Sequence, residues 1–259
     1  MWEEFVSNKQ TKNQLARRSH IHKKKITKLL DDFNLLEKIH NPRSVTVIFD
    51  ASYFGRQYGI LVARDPNKKE NLHVHEIVSE TKQEYQTARI DLERRGYVLH
   101  AVVLDGKRGI PSVFKDIPVQ ICQFHQWQIV KRKLTTKPKL PSHQALLSIA
   151  RQISQVTEPQ MKKFLETFEK LFHADLNEKT YVIGLNRPRF THAKLRSAYR
   201  SLVTNLPHLY VYQKYPELKI PNTTNSLDGS FNALKSHVNI HRGLRKDRRF
   251  KSIRYYLKL

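Results

Sequence analysis

Cysteine is almost missing from this 259-residue chain: Cys122 stands alone, which excludes an intrachain disulfide and suits a reducing compartment. Long apolar runs are missing too. No stretch approaches the ~18–20 residues that a membrane span needs, so a helical membrane protein is excluded. The opening Met1-Trp2-Glu3-Glu4-Phe5 does not have the form of a signal peptide. No internal repeat or low-complexity segment is found. These absences read as a soluble intracellular protein with no membrane partner.

Acidic residues are in short supply. Lys and Arg number 47 against 23 Asp and Glu, a formal charge of +24, and the pI is near 10.1. That excess favours a polyphosphate partner, with nucleic acid the obvious polyanion, over a neutral scaffold. Ribosomal proteins are comparably basic but usually shorter and richer in glycine, whereas only eight glycines occur here. With 39% apolar and 10% aromatic residues the chain can bury a sizeable core, in two or three structural units.

Residues 1–40 read as helical. Leu15, Ala16, Ile21, Ile26, Leu29 and Leu30 are the apolar positions, and Lys and Arg decorate the rest. Thr11 is placed to cap a short first helix through Arg18. Ser19–His22 then turns, and Lys23–Asp32 forms a second helix. That is helix-turn-helix spacing, with Lys23, Lys24, Lys25 and Lys28 where major-groove contacts are made. The plainer reading is a basic helical hairpin on a larger domain.

Asn41-Pro42 marks a linker, after which the pattern changes to strands. Val45–Phe49, Tyr58–Ala63 and Leu72–Val78 read as three strands, and residues 81–95 as a helix. Tyr97–Leu104 reads as a strand, Ile110–Phe114 as a short helix and Val119–Cys122 as a last strand. The resulting β-β-β-α-β-α-β order suits an α/β (α+β) ribonuclease-H-like fold better than a doubly wound one, which would alternate strictly. Residues 124 to about 215 carry few strand signals, and helices are expected over Gln126–Lys133, His143–Ile153, Gln160–Phe172 and Ala193–Thr204. From Thr224 onward Leu227, Phe231, Leu234 and Val238 share one helical face. The expected division is a helix-turn-helix segment at 1–40 and a first part of the core at 41–123. A helical insertion at 124–218 and a helical end of the core at 219–259 follow.

Three aspartates draw attention. Asp50 closes the run Val45-Thr46-Val47-Ile48-Phe49, Asp105 closes Ala101-Val102-Val103-Leu104, and Asp228 lies in Asn222-Thr223-Thr224-Asn225-Ser226-Leu227-Asp228. In the order above, the first strand is central with the fourth beside it, so acids at their ends can face one another. A divalent cation relieves the repulsion between such carboxylates, and two metals ~3.5–4 Å apart activate the attacking oxygen and stabilise the leaving one in phosphoryl transfer. The competing reading is that aspartate ends a strand because it favours turns. Asp228 has its own plain role. With Asn225 as N-cap it sits at the third helical position, where an acid completes a capping box. The roles are compatible, since Asp228, Asn232 and Lys235 share a flank beside the apolar face.

Cys122 and His125 lie three residues apart without the second pair that a zinc site requires, and a packed cysteine beside a polar histidine is the default. His125, near the acids, is placed to touch DNA or a phosphate. Lys131, Arg132 and Lys133 form one basic cluster. From Lys235 to Leu259 nine Lys/Arg stand against the single acid Asp247. Arg242, Arg245, Arg248 and Arg249, interleaved with Phe250, Tyr255 and Tyr256, read as a phosphate-backbone surface, although a charge run is often only a solvated face.

Taken together, Val47-Ile48-Phe49-Asp50, Val102-Val103-Leu104-Asp105-Gly106, Cys122-Gln123-Phe124-His125-Gln126-Trp127 and Thr223-Thr224-Asn225-Ser226-Leu227-Asp228-Gly229-Ser230-Phe231-Asn232-Ala233-Leu234-Lys235 resemble the Mutator-like superfamily of DDE transposases, of the bacterial insertion-sequence type. The resemblance covers roughly residues 44–259. It implies a ribonuclease-H-like core interrupted by an all-helical insertion before the third acid, and metal-dependent hydrolysis at transposon ends followed by strand transfer into target DNA. It implies Asp50, Asp105 and Asp228 as catalytic, metal-binding acids, Mg²⁺ or Mn²⁺ in a two-metal site, and His125 near the scissile DNA. Double-stranded DNA, a homodimer holding two ends and a bacterial, cytoplasmic, nucleoid-associated setting are the implied surroundings. One departure stands out: the family's third acid is usually Glu, and here it is Asp228, one methylene shorter. A catalytically impaired, DNA-binding derivative and a ribonuclease-H-like nuclease are the alternatives. The chain opens directly on the helical hairpin, which leaves a further upstream module open.

Overall fold

The computed structural model describes residues 1–36, 38, 40–181, 187–240 and 244–259. Three helices come first: α1 (Trp2–Val6), α2 (Lys12–Ser19) and α3 (Lys23–Asp32). Strands β1 (Ser44–Tyr53), β2 (Gly59–Asp65) and β3 (Glu70–Ile77) follow, then α4 (Lys82–Arg94), β4 (Val98–Leu104), a 3₁₀ turn (Ile110–Phe114) and β5 (Val119–Ile121). Next are α5 (Gln123–Leu134), α6 (Pro141–Arg151), α7 (Glu158–Leu171) and α8 (His173–Asn177), then a strand pair, β6 (Lys179–Thr180) and β7 (Arg189–Phe190). The chain ends with α9 (Ala193–Leu209), α10 (Val211–Lys214), a 3₁₀ turn (Pro216–Leu218), α11 (Asn225–Ile240) and α12 (Lys246–Tyr256). None of the helices described is long and apolar enough to cross a membrane.

Two compact units share the chain. One joins Met1–Leu99 to Asn225–Leu259, and the other is the continuous stretch His100–Thr224. In the first, β1, β2 and β3 form an antiparallel meander, and the start of β4 joins it where the Val98 N–H donates to the Arg43 carbonyl at 3.1 Å. In the second, the rest of β4 pairs in parallel with β5. The strand order therefore reads β3-β2-β1-β4-β5, a mixed sheet compatible with the ribonuclease-H-like order expected from the sequence.

The amino-terminal hairpin forms for local reasons. Thr11 and Gln14 make a capping box at the start of α2, each side chain bonded to the other's backbone N–H. His20 ends that helix in the left-handed region at φ 54°. The His22 side chain then accepts the Lys24 N–H at the start of α3. Leu15, Ile26 and Leu30 bury their side chains with Trp2, Phe5 and Val6 of α1, a separate helix ahead of the expected hairpin. Trp2 stacks on Phe33 at 4.8 Å. From α12, Tyr255 meets Trp2 edge-on, and the buried Arg248 guanidinium pairs with Asp31 of α3.

On the sheet face toward α4, three hydrogen bonds run in series. Asp91 Oδ2 to His73 Nδ1 is 2.6 Å, His73 Nε2 to His75 Nδ1 is 2.8 Å, and His75 Nε2 to Glu84 Oε2 is 2.7 Å. Burial pushes His73 down to about 4 from its ordinary 6.5; His75 and Arg95 add to that, and Asp91 opposes it. A histidine depressed on folding contributes stability that is present above pH 6.5 and lost as pH falls toward 4. Between pH 7 and about pH 4.5 this group is expected to remove ~2–3 kcal/mol of folding stability. Urea unfolding of the wild type and His73→Asn at both pH values tests this. The variant should lose less on acidification, and equal losses would discard the assignment.

The second unit has its own core. Leu146, Leu147 and Ala150 of α6 pack with Met161, Leu165 and Phe168 of α7 and with Leu195, Ala198 and Leu202 of α9. The stretch expected to be wholly helical also carries β6 and β7, paired antiparallel.

Candidate functional site

In the second unit the residues of interest gather at the carboxyl ends of β4 and β5. Asp105 follows β4 and turns the chain: its Oδ1 accepts the Lys107 N–H at 2.9 Å. Gly106 between them sits at φ +84°, and a Cβ there would lie 2.8 Å from Ile121 Cγ2. Only glycine suits both the angle and the close approach. One strand over, the Cys122 N–H donates to the Leu104 carbonyl at 2.8 Å, extending the parallel ladder.

Cys122 is buried at the start of α5, and His125 lies one turn along. Both meet Thr224, 102 residues away from the cysteine. The Thr224 N–H donates to Cys122 Sγ at 3.3 Å, and the hydroxyl lies 3.5 Å from the same sulfur and 3.4 Å from His125 Nδ1. Burial raises the thiol pKa, but the hydrogen bonds to His125 and Thr224 outweigh it, leaving Cys122 below its ordinary value. The two segments are tied again beside this point. The Gln123 N–H donates to the Asn222 carbonyl at 2.9 Å, and the Asn222 amide to Gln123 Oε1 at 3.0 Å.

Three glutamines, passed over in the sequence, hold the start of α5 in place. Gln120 and Gln123 both donate to the Leu209 carbonyl at 2.9 Å. Gln126 donates to Ser201 Oγ at 3.1 Å and accepts from Asn205 at 2.7 Å. All three are buried. A glutamine every third residue across a strand-to-helix junction is the signal that would have found them.

In the first unit Asp50 is 8% exposed. It does not end a strand, as the apolar run suggested: β1 continues to Tyr53, and Asp50 stands opposite Val62 within the ladder. Its Oδ1 accepts the Ala51 N–H at 2.8 Å. Strand alternation puts Asp50 on the same face as Ile48 and Ile48's partner Arg64. That is the face α11 covers, since Arg64 reaches Ser230 Oγ at 3.5 Å and α11 packs on β1. Asp228 lies in the first turn of α11, half-buried, so its helix and the Asp50 strand are packed neighbours.

The basic residues divide by environment. Lys23, Lys24, Lys25 and Lys28 are exposed along α3, as are Arg132, Asn232 and Arg245, while Lys235 is half-exposed. Lys131 lies over the Trp127 ring at 4.8 Å, Lys133 donates to Ser197 Oγ at 2.7 Å, and Arg249 covers the Tyr58 ring at 5.1 Å. Arg245 pairs with Asp247 in water. Arg248 departs from the surface role expected of it. It is 4% exposed, because its guanidinium is spent on Asp31 inside the unit. Arg242 lies outside the described residues.

Asp50, Asp105 and Asp228 are all carboxylate donors, the hard-oxygen type that suits Mg²⁺ or Mn²⁺. Among the described residues no group of three or more His, Cys, Asp or Glu side chains is placed to hold a metal ion.

No family model and no curated protein matches this chain. Among solved structures, a chain of the Drosophila P element transposase strand transfer complex is similar at 11% identity and a TM-score of 0.44. The likeness spans 95% of this chain and 87% of that one.

Proposed function

We propose that this chain is a DNA transposase of the DDE type, cutting at transposon ends and joining the freed 3′-hydroxyl to target DNA. One observation carries the reading. The Cys-x-x-His segment and the Thr-Thr-Asn segment, two of the four stretches that carry the Mutator-like resemblance, are bonded to each other through Thr224, Cys122 and His125. A chance match of two short motifs gives no reason for them to meet.

In this reading Asp50, Asp105 and Asp228 are the acids that would hold Mg²⁺ or Mn²⁺, which when bound would activate the attacking oxygen and stabilise the leaving one. His125 lies beside the DNA being cut. α2 and α3 act as a helix-turn-helix, with the exposed Lys23, Lys24, Lys25 and Lys28 on phosphates or base edges. Lys131, Arg132, Lys133, Asn232, Lys235, Arg242, Arg245 and Arg249 contribute to backbone contact, and two copies hold two ends.

The test is strand transfer with labelled duplexes carrying the sequences that flank the open reading frame, with Mg²⁺ or Mn²⁺. Joined product is expected, and binding should weaken steeply as salt rises. Binding without product in either metal would refute the enzyme. A second reading, a DNA-binding protein with an impaired core, draws on the shorter third acid. A shortfall of ~1 Å at a catalytic group can cost ~10²-fold in rate. That reading expects Asp228→Glu to raise cleavage, whereas an enzyme adapted to three aspartates loses activity with the same change.

A further inference from the structure

A polar pocket of about 220 Å³ in the first unit is lined by Lys38, Arg64, Lys69, Ser230, Tyr256 and Lys258. Four of those six side chains are cationic. The one acid that also lines it, Glu70, is already engaged by Arg43 at 2.6 Å and His40 at 3.2 Å. None of the three lysines has an ion-pair partner among the described residues. Arg64 is held by a single nitrogen: Nη1 donates to Asn71 Oδ1 at 3.0 Å and lies 3.5 Å from Ser230 Oγ. Its Nε is buried without a partner, and Nη2 makes no hydrogen bond among the described residues. Burial lowers the Arg64 pKa more than the nearby Asp65 raises it, the mark of a cation only partly compensated for its loss of water.

A chamber whose walls offer a guanidinium edge, ammonium groups and hydroxyls, with its one acid neutralised, is complementary to a tetrahedral oxyanion. Its place narrows the source. Arg64 stands opposite Ile48, two residues from Asp50 on the same face of β1, and Ser230 belongs to α11, the helix packed on that strand, though on the opposite flank from Asp228. We propose that this pocket holds a phosphate group of the DNA backbone, on the sheet face that carries Asp50. The inference rests on the reading of the chain as a DNA-processing protein. Phosphate binding itself needs no catalysis.

The experiment uses the full chain in EDTA, so that strand transfer plays no part. Lys69→Gln/Lys258→Gln removes two ammonium groups, and Arg64→Lys keeps the charge but loses the planar fork. Each variant is checked by thermal melting. Duplex affinity is read by fluorescence anisotropy over a salt series, and inorganic phosphate is titrated by ³¹P NMR. The double lysine variant should give a slope of log K on log salt shallower by about 0.9 for one lost phosphate contact. Arg64→Lys should weaken the duplex with the slope kept. Both should lose the phosphate response. An unchanged slope with a lost phosphate response would assign the pocket to free phosphate and overturn the backbone source. No change in either would overturn the pocket. A wild type that binds phosphate through these residues but no duplex would refute the DNA reading alone.

Discussion

Asp50→Asn is expected to abolish strand transfer, lowering the rate by at least ~10³-fold, while duplex affinity and fold stay as in the wild type. The magnitude follows from the role assigned to the carboxylate: metal stabilisation of the reacting oxygens is worth several kcal/mol, and each ~1.4 kcal/mol is tenfold in rate. The fold should tolerate the change for a local reason. Asn is isosteric with Asp, and its amide oxygen still accepts the Ala51 N–H that Asp50 Oδ1 accepts at 2.8 Å. Parallel strand-transfer and anisotropy measurements decide. Retention of more than a tenth of the activity would remove Asp50 from the chemistry. Loss of binding together with activity would give it a structural role instead.

The second large effect is asymmetric. Arg248 is 4% exposed and Asp31 28%, and they are joined through Arg248 Nε and Nη2 to Asp31 Oδ1. Asp31→Ala strands a guanidinium away from water, and about 3 kcal/mol of folding stability should go. Arg248→Met leaves the partly exposed carboxylate free to rehydrate and fills the space with apolar atoms, so the loss should be about 1 kcal/mol or less. The double variant Asp31→Ala/Arg248→Met should be more stable than Asp31→Ala alone. Urea denaturation of the three proteins checks the order. Equal costs for the two single changes would mean that the pair is not sequestered.

Much of the scaffold was legible from local rules. Thr11 and the Lys23–Asp32 helix follow from capping chemistry and apolar spacing, and the order of the first five strands follows from where aliphatic runs stop. The errors came where a partner, not the segment itself, decides. Ala51-Ser52-Tyr53 carries no strand signal. It is strand because Ile60 and Leu61 stand opposite Ser52 and Ala51, and because Gly59 leaves room for the Tyr53 ring, where a Cβ would lie 2.7 Å away. Arg64 lies in β2 just past the apolar run that ends at Ala63, and a charged residue against an apolar strand is itself a hint. The three aspartates and the Cys122–His125 pair could be singled out by position, and the bond from Thr224 to that pair could not. Thr224 lies 102 residues from Cys122, and no periodicity spans that distance.

The division of the chain into units also sets an order of assembly. Residues 100–224 are continuous, whereas residues 1–99 share their unit with 225–259. On a ribosome delivering residues in sequence, the middle of the chain can close before the amino-terminal portion receives α11 and α12. Until then Leu15, Ile26 and Leu30 lack Leu244 and Tyr255 of the carboxyl-terminal segment. A nascent chain halted before residue 225 should therefore protect its central portion from protease while its first hundred residues remain open to cleavage.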